Sequence, residues 1–153
     1  MNYRNSDEPL IGGAVIRDVK LKDVDWQFAS EIYFPKKSCW QREKNLCPGL
    51  RRWCGTVLRI GVPLTILVDG SFATRRYCPE YVDVLCLYER SAVRNRTDKE
   101  ERIIKCCAPS YTKKDYCFVR VEPINKGVNL FETAQRYFGL GLSNKADIFK
   151  IVT

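Results

Sequence analysis

Between Lys36 and Arg76 the chain carries Lys36, Lys37, Arg42, Lys44, Arg51, Arg52, Arg59, Arg75 and Arg76 against two acids, Glu43 and Asp69. Those 41 residues therefore hold +7 of the protein's net charge of +8. Trp40 and Trp53, each next to a cysteine, lie in the same stretch with Phe72 and Tyr77. Lys and Arg neutralise phosphates, and aromatic faces stack on unpaired bases at about 1–3 kcal/mol per base. Basic residues interleaved with aromatics are thus a surface for RNA or single-stranded DNA. Trp40 and Trp53 are the candidate stacking residues. The plainer role for the segment is a solvated basic loop whose tryptophans anchor the core. An acidic protein partner would meet the same electrostatics.

Eight cysteines stand at positions 39, 47, 54, 78, 86, 106, 107 and 117, and there is no histidine. The missing imidazole removes Ser-His-Asp triads, Cys-His dyads and His-ligated metals from what this chain can build alone. An even cysteine count with an Asn95-Arg96-Thr97 sequon is the pattern of a secreted disulfide framework. In a reducing compartment the same cysteines are small buried hydrophobes, and Cys86 and Cys117 sit in apolar strand-like runs as that requires. Structural zinc sites use closely spaced C-x2-4-C pairs. None occurs, so a four-thiolate zinc site would have to draw on distant cysteines, and no cofactor is expected.

Catalysis by carboxylates remains chemically open, with Asp23 and Asp25, Glu80 and Asp83, or Asp69 as candidates. Such chemistry needs two carboxylates converging in a cleft. No phosphate-binding G-x-x-x-x-G-K-[ST] occurs, and Gly139-Leu140-Gly141 lacks the third glycine of a dinucleotide fingerprint. The expectation is a protein without enzymatic activity.

The longest apolar stretch, Ile60 to Val68, contains Thr65 and is too short to span a bilayer, which takes about 20 residues. The first eight residues show no apolar run of a signal peptide. The expected location is cytoplasmic or nuclear, with secretion as the alternative.

The elements that must position these residues read as mostly β. Residues 14–21 form a first strand, and Asp25 to Phe34 alternates most cleanly, with Trp26, Phe28, Ile32 and Phe34 on one side. Residues 36–54 read as a long basic connection turning at Pro48-Gly49. Thr56 to Val68 is β-branched, with Pro63 marking a break. Tyr81 to Tyr88 is apolar on both faces except at Asp83, as a central strand is. Tyr116 to Glu122 alternates up to Pro123, and Ile148 to Val152 is a last strand. Thr97-x-x-Glu100 opens a short helix to about Lys105, and Asn129-x-x-Glu132 opens another ending at Gly139. The expected architecture is a single domain over 1–153: a mainly β, antiparallel sandwich of jelly-roll type or a small barrel, with one or two short helices.

Two functions follow from these readings. The first is non-catalytic nucleic-acid binding through residues 36–76, of the kind a viral accessory, movement or coat-type protein performs. The alternative is a secreted, disulfide-stabilised effector, toxin or inhibitor that binds another protein.

Overall fold

The computed structural model describes residues 16–29, 42–69, 71–73, 79–93, 97–138 and 148–153. Five strands form one mixed sheet in the order β1-β5-β2-β3-β4. They are β1 Ile16–Lys20, β2 Leu64–Asp69, β3 Val82–Glu89, β4 Cys117–Ile124 and β5 Ile148–Val152. β2 runs antiparallel to β3 and to β5, while β1 pairs with β5, and β3 with β4, in parallel. The fold is therefore α+β with an open mixed sheet, and the expected sandwich or barrel is overturned.

The reason lies in the connections. Parallel neighbours need long crossovers, usually helical. Between β3 and β4 the chain passes through α3 Arg90–Val93, α4 Thr97–Cys107, α5 Pro109–Thr112 and a 3-10 turn at Lys113–Asp115. Between β1 and β2 lie α1 Val24–Ala29, a π-turn at Arg42–Leu46 and α2 Cys47–Leu58. A last helix, α6 Leu130–Phe138, follows β4.

Three sequence expectations fail in the β1–β2 region, one of them the run from Thr56, which closes α2 as far as Leu58 and becomes a strand only at Leu64. Asp25 to Ala29 is helical, not strand. Val24 and Phe28, one helical turn apart, are fully buried, whereas Trp26 is 55% exposed. Alternation over so few residues fits either period, and burial here follows the helical one. The described part of the 36–54 connection is also helical. Leu46, Leu50, Trp53, Cys54 and Val57 are buried at positions that make one helical stripe. Pro48 stands in the first turn of α2, where its missing N–H has no bond to lose. A Cβ on Gly49 would lie 2.1 Å from the Asp115 carbonyl oxygen. This Pro-Gly therefore starts a helix and lets the Lys113–Asp115 turn approach it. α2 ends where Gly61 takes φ +79° and Leu58 accepts its N–H.

Other elements agree with the sequence. The strand at Tyr81–Tyr88 is β3, interior to the sheet; the runs at 14–21, 116–122 and 148–152 are β1, β4 and β5. β4 continues through Pro123 because it is an edge strand, where a missing donor is tolerated. The two expected short helices are α4 and α6, and the Asn129 side chain accepts the Glu132 N–H at 3.0 Å, capping α6.

The sheet's faces are filled unequally. One face, bearing Ile66, Val68, Val84, Cys86, Phe149 and Ile151, packs against α1, α2 and α4 in the main core. The other, bearing Leu67, Leu85, Leu87 and Ile148, packs against α6 in a smaller cluster with Ala134. Among the described residues, no helix is long and apolar enough to cross a membrane.

Candidate functional site

The basic segment divides once folded. Arg42 is completely buried, donates to the Phe28 and Phe72 carbonyl oxygens, and lies 5.1 Å from the centre of the Phe72 ring. It ties α1 to the turn at Ser71–Ala73 and is not available to a ligand in this state. Trp53 is 2% exposed, and its indole N–H donates to the Cys106 carbonyl at 3.0 Å. It joins α2 to α4 as a core anchor, so it does not serve as a stacking face. Lys44 is exposed on the π-turn. Lys36, Lys37, Trp40, Arg75 and Arg76 lie outside the described residues.

Arg51 and Arg52, from the side of α2 away from its buried stripe, and Arg59 at its C-cap share a groove of about 470 Å³ with Thr56, Lys114 and Asp115. Arg51 is ion-paired to Asp25 of α1, and Arg52 Nε donates to the buried Asp115 carboxylate at 3.0 Å. These pairs partly neutralise the arginines and fix their directions. Arg59 and Lys114 are exposed and, among the described residues, have no acidic partner. Four cations against Asp115 leave the groove clearly positive.

A second concavity of about 510 Å³ lies on the other side of the same 3-10 turn, lined by Tyr81, Pro109, Lys113, Tyr116 and Phe118 among others. Lys113 faces this space and Lys114 faces the basic groove. Tyr81, Tyr116 and Phe118 are 46%, 37% and 61% exposed, and the Tyr81 and Phe118 rings lie 6.0 Å apart. Tyr116 closes the turn at φ 57°, a conformation rare for a bulky residue. None of these residues was singled out as a site from the sequence. The signal was present: Tyr111-Thr112-Lys113-Lys114-Asp115-Tyr116-Cys117-Phe118 is itself a basic run interleaved with aromatics.

Of the candidate carboxylates, the sheet brings one pair together. Asp69 at the end of β2 is directly opposite Asp83 at the start of β3. Side chains so placed have Cβ atoms about 4.5–5.5 Å apart. Asp69 is buried, and burial raises the Asp83 carboxyl above its ordinary value of 3.8. Two carboxylates in this arrangement can share a proton or hold a divalent cation together with ligand oxygens. Asp25 is committed to Arg51, while Asp23 and Glu80 are exposed.

Cys54, Cys86, Cys106, Cys107 and Cys117 are free thiols; all of these but Cys106 are buried, as is Cys47. Burial pushes the Cys54 thiol from 9.0 up to about 12. The hydrogen bond with Cys107, with burial behind it, pushes Cys86 far up, and burial does the same to Cys117. Thiols held protonated in this way are poor nucleophiles and poor metal ligands. Among the described residues, no group of three or more Cys, Asp or Glu is arranged to hold a metal.

A family model described as a family of unknown function (DUF6932) covers residues 15–138, from the start of β1 to the end of α6. No curated protein and no solved structure matches the chain. Since the model spans the helices and strands that carry both concavities, this chain belongs to DUF6932.

Proposed function

We propose that the protein binds nucleic acid without transforming it, with phosphates seated in the groove formed by α2 and the Lys113–Asp115 turn. The observation that carries this reading is the convergence of Arg51, Arg52, Arg59 and Lys114 from two chain segments on one open concavity. Their shared exposure suits an extended polyanion, and the ion pairs to Asp25 and Asp115 hold two of the guanidinium groups ready. Sequence preference is expected to be weak, because phosphates carry no sequence information.

The test is fluorescence anisotropy with a labelled oligonucleotide. With four phosphate contacts on a single strand, affinity falls about 50-fold between roughly 50 and 200 mM salt. The double substitution Arg59→Glu/Lys114→Glu leaves both ion pairs in place and should weaken binding to every sequence by about tenfold or more, with a shallower salt slope. Unchanged affinity at low salt would remove this groove as the contact surface. Tight, salt-insensitive capture of an acidic protein instead would favour the protein-partner alternative.

A second reading, an enzyme using paired carboxylates, is favoured by the register of Asp69 with Asp83. It expects Mg²⁺ to raise the melting temperature, and Asp83→Asn to abolish that response. No Mg²⁺ response and no pH-dependent activity would set it aside.

A further inference from the structure

The exposed aromatics beside the basic groove have no role in the phosphate contacts proposed above. We infer that Tyr81, Tyr116 and Phe118 form a platform on which unpaired bases stack, so that the protein selects single-stranded over double-stranded nucleic acid. The inference rests on the nucleic-acid reading and assigns it a substrate class.

Three observations carry it. First, the rings lie at a rim where strand geometry would suit polar side chains: Phe118 is the most exposed large hydrophobic among the described residues. Tyr81 and Phe118 come from adjacent chain segments at the start of β3 and β4, with ring planes inclined at 47°. Second, the floor beneath them is rigid. The Tyr116 carbonyl accepts the Val82 N–H at 2.8 Å, and the Tyr116 N–H donates to Lys113 at 3.1 Å. The turn that presents Tyr116 is therefore fastened to β3. Third, the platform is continuous with the cations. Lys113 lines the aromatic concavity and its neighbour Lys114 lines the basic groove. A strand crossing this turn would keep phosphates beside Lys113 and Lys114 while bases turn toward the rings.

A duplex cannot use this surface, because its bases are already stacked on each other. An apolar peptide would fill the rings but leave Lys113 and Lys114 without a counter-charge. Glu80 at the rim is the one acid lining the concavity.

The experiment compares single-stranded and duplex oligonucleotides of one sequence, the single strand carrying 2-aminopurine as a stacking reporter. The wild-type chain should bind the single strand more tightly and quench the reporter. Tyr81→Ala/Phe118→Ala should reduce single-strand affinity by about tenfold or more, abolish the quenching, and leave duplex affinity and the salt slope unchanged. Tyr81→Trp/Phe118→Trp should keep both affinity and quenching, which separates stacking from any loss of fold. Equal affinity for both forms, or an unaltered preference in the alanine variant, overturns the platform while the phosphate groove stands. Absence of binding to either form overturns both readings.

Discussion

The two faces of the sheet are made by the same alternation of side chains along the same strands, yet they are closed to different degrees. On the α1/α2/α4 face, alternate residues of β2, β3 and β5 meet Phe28, Trp53, Val57 and Ile103 in a continuous core. The Phe28 ring lies 4.5 Å from that of Phe72, tilted by 38°, and meets Phe149 edge-on at 5.1 Å. On the α6 face, Leu67, Leu85 and Leu87 are covered, but beside them stand Asp69 at the end of β2, Asp83 at the start of β3 and the exposed Phe118 at the start of β4. One helix covers that face, and its C-terminal Tyr137 and Phe138 border a small concavity with Asp83 and Phe118. The closed face spends its cysteines, one arginine and a tryptophan on packing. The groups that can still meet a ligand lie on the outer side of α2, on the turn beside it and at the rim of the open face. Residue type alone therefore does not separate scaffold from site here; the layer above the residue does.

The sharpest way to break this contrast is Trp53→Ala. Removing a fully buried indole and its bond to Cys106 should cost about 3–5 kcal/mol, read as a large drop in the urea midpoint. Oligonucleotide affinity per folded molecule should be unchanged. A loss of affinity at retained stability would return Trp53 to the binding surface.

Gly49→Ala should come next, destabilising by about 1–3 kcal/mol, because the new Cβ meets backbone at Asp115 and the turn must move. Gly55, also in α2, has nothing within 4 Å of an added Cβ. Gly55→Ala should stabilise by up to about 1 kcal/mol through helix propensity, so the pair isolates the close approach from the helix. Urea unfolding of both variants checks this, and equal effects would deny the approach any importance.

The smallest effect belongs to the open face. The folded state raises the Asp83 carboxyl above 3.8 by burial, so the native state holds this proton more tightly than the unfolded chain does. Its contribution to stability is full below pH 3.8 and is lost as the pH rises through the raised value. In metal-free buffer, Asp83→Asn should therefore raise the melting temperature at neutral pH and lose that advantage in acid. No difference at neutral pH would place Asp83 in a fully solvated site.

Much of the sheet was legible in the sequence. β3, β4 and β5 are long, regular runs with clear boundaries, and α6 is announced by the Asn129 cap. The α1 and α2 region was misread because its signals are ambiguous locally. Trp26 and Phe28 satisfy a strand's period, and Pro48-Gly49 is as good a turn as it is a helix start. The site was half legible. Counting charge found Arg51, Arg52 and Arg59, but counting cannot distinguish Arg59 from Arg42, which the fold draws inside between Phe28 and Phe72. The Lys113–Phe118 run escaped because its local charge is offset by Asp115, which turns out to be buried against Arg52.

The sequence by itself determined the chemical inventory: no imidazole, eight thiols, a net charge of +8, and a polar/apolar pattern that commits most strands. Those properties are local or additive, and no contact is needed to read them. Only the tertiary structure decided which strands are parallel neighbours, that Asp69 meets Asp83, and that a turn 60 residues away completes the groove on α2. Such pairings depend on helical crossovers and on one close backbone approach at Gly49. They are relations between distant segments, and a residue's own type and neighbours do not encode them one at a time.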